Sequence, residues 1–539
     1  MERSLIDFLE MHVAEVEPLE RQLAATRWQR ICDASDSGPA QTAEAEASWA
    51  EIYANRRLYA RLRSYEADGI GRMATTRRQI HLLRLRCSAQ QIPPWLEERT
   101  APILHRIASV VDGSWPKARG KSFGASSWEK TFASSSDLAL REQLYRSREA
   151  ALKPLVEDIQ RLVGLRNRAA RDLEYPSWSS LALDLDDIDA THCIGLAKDV
   201  LDATASSFAA LKQEIDAEAR TAWGVADGCA PTPWMLPDPD MARYPAMKPF
   251  RFEESLFSQP APVLAQLLLS GLGLDISEIL ARGTLVKKDA PSPHTPFVAL
   301  DRSGRLFEYV CEYGVDAAST RRLVHVVTRA LHHVHLDPKL PFLLREAPHP
   351  ACVDGLGRLL SELIYAPRFL TEQMGLKKAS VTRALHLRQE NRRRNRLLQL
   401  RSDAVALQFQ YFVYQKPGSD LDALWRRMRE VHLGLHLPDS WDHEGAWAAT
   451  PELVLNPVAP ARRLIASLFE CGVAEGLRRA VGDDDISARK EVGDLLRERI
   501  LRRGNSLPWV SLLEKASGMP LDPACCLRSL SPDGGPHRS

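Results

Sequence analysis

The sequence predicts a mainly α-helical protein carrying one small β-sheet. Three observations carry that expectation. Apolar residues recur at three- and four-residue spacing through most of the 539-residue chain. Strand-like patterns are confined to three short segments between residues 283 and 313. Residues 226–250 hold six prolines, which excludes helix interior there. That stretch reads as an irregular crossing between two lobes, 1–225 and 226–539, of one continuous fold over 1–539.

In the first lobe, Leu5, Phe8, Leu9, Val13, Val16, Leu19 and Leu23 place an apolar stripe on a helix over 4–30, with a kink or interruption expected at Pro18. Residues 33–48 are small and polar and read as a loop or frayed helix start. Helical texture runs from about 49 to 111 with a break at Pro93-Pro94. It returns over 137–173 with a kink at Pro154, and ends at Tyr175-Pro176-Ser177. One further helix is expected over 195–222. In the second lobe the strands are Gly283–Lys288, Phe297–Asp301 and Arg305–Tyr313. Phe307, Tyr309 and Cys311 share one face of the last and should point inward. Helices follow over about 319–335 and 351–365, and the chain stays mostly helical to about 516. No repeat of fixed period is present.

Composition excludes several classes. Apolar residues make up 45% of the chain, too many for an intrinsically disordered protein. The 71 basic and 70 acidic residues leave a net charge of +1, so no overall field favours nucleic acid or an acidic membrane. The nine cysteines are scattered without a C-x-x-C pair, which fits a reducing compartment. The N-terminal stretch mixes acids among its apolar residues and does not read as a signal peptide. Apolar stretches such as Pro262–Leu269 are too short to span a bilayer. A cytoplasmic protein is expected, with no nucleic acid or membrane partner. The six arginines of Arg388–Arg401 have no interleaved aromatic residue and read as a solvated helix face.

The segment with most chemistry in it is Arg322–Arg358. It contains His325-Val326-Val327-Thr328-Arg329, and 25 residues beyond Arg329 comes Asp354, followed by Gly355-Leu356-Gly357. This frame resembles the zinc core of the helical gluzincin metallopeptidases, the oligopeptidase and angiotensin-converting-enzyme-like families. There an H-E-x-x-H helix precedes a second helix bearing a glutamate. Two histidines at i and i+4 share a helix face and take two corners of a zinc tetrahedron. The intervening glutamate activates the bound water, and the later carboxylate is the third ligand. Here His325 aligns with the first histidine, Val326 with the base, Arg329 with the second histidine and Asp354 with the last ligand. Gly357 matches the glycine three residues after that ligand.

Other segments resemble the same families in the same order. Leu165–Tyr175 is similar to their RN-x-x-A-x-x-x-GY stretch, with Glu174 in place of the glycine. Trp234 sits in a similar proline-flanked segment. Gly283–Phe297 resembles the strand and loop before the zinc helix, and Gly504–Leu521 the C-terminal helix. Near the C-terminus the families carry a P-x-Y-Y segment whose hydroxyls stabilise the oxyanion, and losing one such donor costs ~10²–10³ in rate. The matching positions here are Ala459 and Pro460, with no histidine nearer on the N-terminal side than His443. The resemblance therefore implies a two-lobed helical fold with a deep central cleft, the small sheet beside it, and a degenerate zinc site.

Valine cannot abstract a proton, and a guanidinium cannot ligate a cation. His325 and Asp354 alone fall short of the three protein ligands of catalytic zinc, so no cofactor is expected. An Arg329–Asp354 ion pair, alone or with His325, would fill the place of the metal. A relocated site from His332, His335 and Asp337 is an alternative, weighed against a histidine-rich surface helix end. Cys352 would lie beside the former centre, either as a reactive thiol or, more ordinarily, as a buried inert one. Arg358, one helical turn beyond Asp354, belongs to the same face. Gly120-Lys121-Ser122-Phe123-Gly124 matches G-x-S-x-G, but the preceding SWPKAR is loop-like, which favours a surface turn. With Trp115 at the leading position it is no phosphate loop either.

Three functions follow from these residues. The first is a pseudopeptidase that keeps the scaffold and binds a peptide or protein in the cleft. The second is an enzyme using His325, Asp354 and Arg329 for metal-free chemistry on a peptide-like or small substrate. The third is a divergent zinc peptidase with a relocated metal.

Overall fold

The computed structural model describes residues 2–32, 38–113, 117–244, 253, 259–289, 292, 294–442 and 444–528. Parts of the expected loops at 33–48, 226–250 and Gly283–Phe297, together with Trp115 and His443, lie outside them. Among the described residues the chain is mainly α, with twenty-two α-helices, one two-stranded ribbon and one three-stranded sheet.

The first four helices are α1 (Glu2–Cys32), α2 (Gly38–Ala54), α3 (Arg56–Ala67) and α4 (Ala74–Gln90). α1 runs through Pro18 without the expected interruption. These helices bury a small core of their own, including Leu5, Leu9, Val16, Tyr53, Leu62, Ile80 and Leu83, which Leu343 joins from far along the chain. The long helix expected over 49–111 is several helices. Asn55 ends the first part by capping α3, accepting from the backbone N–H groups of Arg57 and Leu58. Pro94 opens α5 (Pro94–Gly113), as the Pro93-Pro94 break predicts.

A two-residue hairpin, β1 (Lys117–Ala118) and β2 (Lys121–Ser122), turns on Arg119 and Gly120, both at positive φ. α6 (Ala125–Ser134) and α7 (Leu138–Leu152) follow. Pro154 makes a single 3₁₀ turn before α8 (Val156–Asp172), which is the predicted kink. Next come α9 (Trp178–Leu185), α10 (Ala190–Ala203) and α11 (Ala205–Trp223); the single helix expected over 195–222 is divided at Thr204. Trp234 is buried in a 3₁₀ turn and stacks on Trp441 at 4.8 Å.

In the second half, α12 (Ala261–Gly271) and α13 (Ser277–Arg282) lead into β3 (Thr284–Lys287), β4 (Phe297–Ala299) and β5 (Phe307–Tyr313). The sheet order is β3-β5-β4, with β3 parallel and β4 antiparallel to β5. Phe307, Tyr309 and Cys311 are buried on one face, as their alternation requires. Then follow α14 (Ala317–Val334), α15 (Pro350–Glu362), α16 (Lys378–Gln415), α17 (Leu421–Leu433), α18 (Glu452–Leu455), α19 (Ala459–Val481), α20 (Lys490–Arg499), α21 (Trp509–Ser517) and α22 (Ala524–Arg528). One continuous hydrophobic core joins residues on both sides of the proline-rich stretch, from Ile103 to Cys526. α15 lies packed between α14 and α19 in that core. No helix of the described residues is long and apolar enough to cross a membrane.

Candidate functional site

Local sequence explains why α14 and α15 start where they do. Asp316 caps α14, its carboxylate accepting from the Ser319 N–H at 2.7 Å. His349 caps α15 through Nδ1, which accepts from the Ala351 N–H at 3.1 Å, and Pro350 follows at the first helical position. On α14 the residues Leu323, Val324, Val326, Val327, Ala330 and Leu331 are buried. His325 and Arg329, one turn apart on one face, are only half-buried. On α15 the same relation joins Asp354 and Arg358. Val326, at the aligned position of the base, is a core packing residue with no exposure.

The two glycines of the Asp354–Gly357 segment let three helices meet. A Cβ at Gly355 would lie 2.6 Å from the Ala466 carbonyl oxygen on α19. One at Gly357 would lie 2.6 Å from His325 Nδ1 and 2.8 Å from Cε1 on α14. The bare backbone of α15 thus seats the imidazole of His325, whose Nε2 lies 3.4 Å from Asp354 Oδ1. Burial works against ionisation of Asp354, but His325, Arg329 and Arg358 outweigh it and hold the carboxyl below its ordinary range.

The predicted Arg329–Asp354 ion pair does not form. Asp354 pairs with His325 instead, and Arg329 acts on it only through its charge. Arg329 has no hydrogen-bond or ion-pair partner within 4 Å among the described residues. Arg358 donates from Nη1 to the Ser467 hydroxyl at 3.2 Å. Ala459 and Pro460 form the first turn of α19 and offer no hydroxyl.

Arg462, in the next turn of α19, is a member of this cluster that sequence reasoning missed. Its Nε donates to Asp186 Oδ2 at 2.7 Å, and its charge also reaches Asp354. Asp186 belongs to an aspartate-rich loop that ties distant helices together. Asp184 takes Arg84 in a two-pronged pair at 2.6 and 3.0 Å. Asp186 faces His349, whose Nε2 donates to the Asp186 carbonyl at 2.9 Å. Asp187, at φ +59°, holds Arg78 and lies 2.8 Å from His81 Nε2. His81 Nδ1 is 2.5 Å from Glu66, so one imidazole bridges two carboxylates. The only advance signal was the density of acids in Asp184-Leu185-Asp186-Asp187-Ile188-Asp189.

The other sequence candidates are not brought into this cluster. Cys352 is fully buried, and burial with the nearby Asp187 charge pushes its thiol far up, so it is an inert core cysteine. His332 and His333 are buried rather than forming a surface helix end. Burial and His335 push His332 down to about 3. His335 follows the end of α14, while the Asp337 carboxylate accepts from the Lys339 N–H at 2.9 Å. Among the described residues no group of three or more His, Cys, Asp or Glu stands as metal ligands would. His325 and Asp354 bring together one imidazole and one carboxylate, short of the three protein donors that catalytic zinc takes. Ser122 is exposed in the β1–β2 hairpin, on a surface turn. Cavities of about 590 and 450 Å³ lie beside Glu498, Glu514 and Lys515 and beside Asp301, Arg302 and Arg345; neither is lined by His325, Arg329 or Asp354.

Nor is the arginine run a solvated face. Arg388 pairs with buried Glu253 at 2.9 Å, Arg392 with Glu470 at 2.8 Å, and Arg396 with the same Glu470. Arg401 is buried and donates to the Leu201 carbonyl, the Thr204 hydroxyl and the His432 carbonyl.

No family model matches this chain, and no curated protein matches it either.

Proposed function

We propose that the chain is a degenerate member of the helical gluzincin metallopeptidases. In this reading it keeps the peptidase scaffold, with its cleft between two lobes, and binds a peptide or protein partner there without hydrolysing it. The observation that carries the reading is the His325–Asp354 pair at 3.4 Å, with Arg329 at the sequence position of the second histidine in the families it resembles. The base position is a buried valine, and the two oxyanion positions are an alanine and a proline. A further observation supports the family relation. Glu174, which replaces the glycine of the RN-x-x-A-x-x-x-GY stretch, sits at φ +65°, the left-handed region that glycine favours.

Metal content and turnover test this reading. Protein purified without a histidine tag should carry near-zero zinc by elemental analysis. It should show no thermal shift on adding Zn²⁺ and no cleavage of quenched fluorescent peptides. R329H supplies the missing donor and should take up zinc near stoichiometrically while remaining inactive, because Val326 still cannot accept a proton. Stoichiometric zinc in the natural protein, lost in H325A, would overturn the proposal. So would an R329H variant that gains neither zinc nor thermal shift, since the alignment would then be wrong.

A further inference from the structure

Three helices bring arginines to one half-exposed face. Arg329 stands on α14 one turn beyond His325, Arg358 on α15 one turn beyond Asp354, and Arg462 in the first turns of α19. Arg463 follows Arg462 and pairs with Asp403 at 2.5 Å. Arg462 is committed to Asp186, and Arg463 to Asp403. Asp354 is taken by His325. Arg358, whose charge also acts on Asp403 and Glu470, has only a neutral hydroxyl as hydrogen-bond partner among the described residues. Among the described residues Arg329 has neither a hydrogen-bond nor an ion-pair partner, and its fork of donors is unused.

We infer that Arg329, flanked by Arg358 and Arg462, binds a carboxylate of an acidic peptide. This rests on the peptide-binding reading above and names the ligand chemistry for it. A guanidinium meets a carboxylate with two parallel N–H···O bonds, a geometry no single water reproduces. The positive charge of Arg329 and Arg358, which acts on Asp354 beside His325, favours a second anion for the same reason. Asp354 then competes with the ligand: it already occupies His325 and draws on Arg329. The carboxylate can belong to an Asp or Glu side chain or to a free C-terminus.

Fluorescence polarisation with labelled peptides tests this at low and moderate salt, where exposed ion pairs differ most. The probes are Ala-Ala-Glu-Glu with a free or an amidated C-terminus, Ala-Ala-Ala-Ala-amide and Ala-Ala-Lys-Lys-amide. Both acidic probes should bind, weakening as salt rises; only the free-acid form should if the C-terminus is the source. R329A should bind them about tenfold more weakly, the scale of one charge-assisted pair. R329K should fall between, and D354N should bind them more tightly than the natural protein. Unchanged affinity in both R329A and D354N overturns the inference, as does equal binding of the lysine probe. If the neutral probe binds as well as the acidic ones, carboxylate recognition fails while peptide binding stands. Displacement of the acidic probe by equimolar inorganic phosphate would make this a phosphate site and also overturn it. Zinc content and peptide turnover test the pseudopeptidase reading separately.

Discussion

Two arginine-rich regions flank α15, and they differ in how their charge is met. On α16, Arg388, Arg392 and Arg396 point inward to Glu253 and Glu470, which are buried. Glu362, between Arg392 and Arg321, belongs to the same lattice. Burial pushes against ionisation of Glu470, yet Arg396 and Arg392 hold it below the usual carboxylate range. At the other region the charges of Arg329, Arg358 and Arg462 act on Asp354, whose ion-pair partner is a histidine, and all three arginines remain half-exposed. In the first region every named arginine has a carboxylate within 4 Å, which is the signature of structure. In the second, Arg329 and Arg358 have none among the described residues, which leaves room for a ligand. Counting arginines along a sequence cannot separate the two; counting their partners does.

The largest expected effect breaks the saturated region. E470A removes the buried carboxylate that Arg392 and Arg396 share and should cost about 3–5 kcal/mol of stability. R329A, which removes no bond to a described residue, should change stability by no more than about 0.5 kcal/mol. Denaturant unfolding of the two variants checks this; similar losses would erase the distinction between the regions. G357A should come next. Its methyl group would press on the His325 imidazole, and overpacking of this kind costs about 1–3 kcal/mol. The same variant should move His325 off Asp354, visible as a changed His325 imidazole signal in NMR.

A smaller effect concerns pH. Burial alone would lower the His81 pKa, but Asp187 and Glu66 outweigh it and raise the folded value above 6.5. Its contribution to stability is therefore complete below about pH 6.5, the unfolded value, and is lost as pH rises through the folded one. The melting temperature of the natural protein should fall over that rise, and H81Q should flatten the fall. A fall unchanged in H81Q would place the titrating group elsewhere.

The helices around the candidate site were legible before the structure because their signals are local. The apolar spacing of Leu323, Val324, Val327 and Leu331 marks α14, and Pro350 marks the start of α15. Alternation in Phe307–Tyr313 marks the central strand. Pro154 marks the turn between two helices, Pro18 lies inside a continuous helix, and Thr204 divides a helix without a strong breaker. The family resemblance singles out His325, Val326, Arg329 and Asp354, and the structure brings His325 and Asp354 together while leaving Arg329 out of the pair. Arg462 lies more than a hundred residues from Asp354, and Asp186 is 163 residues from His349 and 276 from Arg462. No periodicity reports such a meeting.

The sequence by itself determined the helical class, the place of the small sheet and the lack of a proton acceptor at Val326 and of a metal donor at Arg329. Those properties depend on residue type and on spacing within a few turns. The tertiary structure decided which charges are spent. It turned the α16 arginines inward onto Glu253 and Glu470, buried His332 and Cys352, and brought the charges of Arg329, Arg358 and Arg462 to bear on Asp354. The physical reason is that a helix fixes which side chains share a face, whereas the partner across that face comes from a distant part of the chain and is chosen by packing.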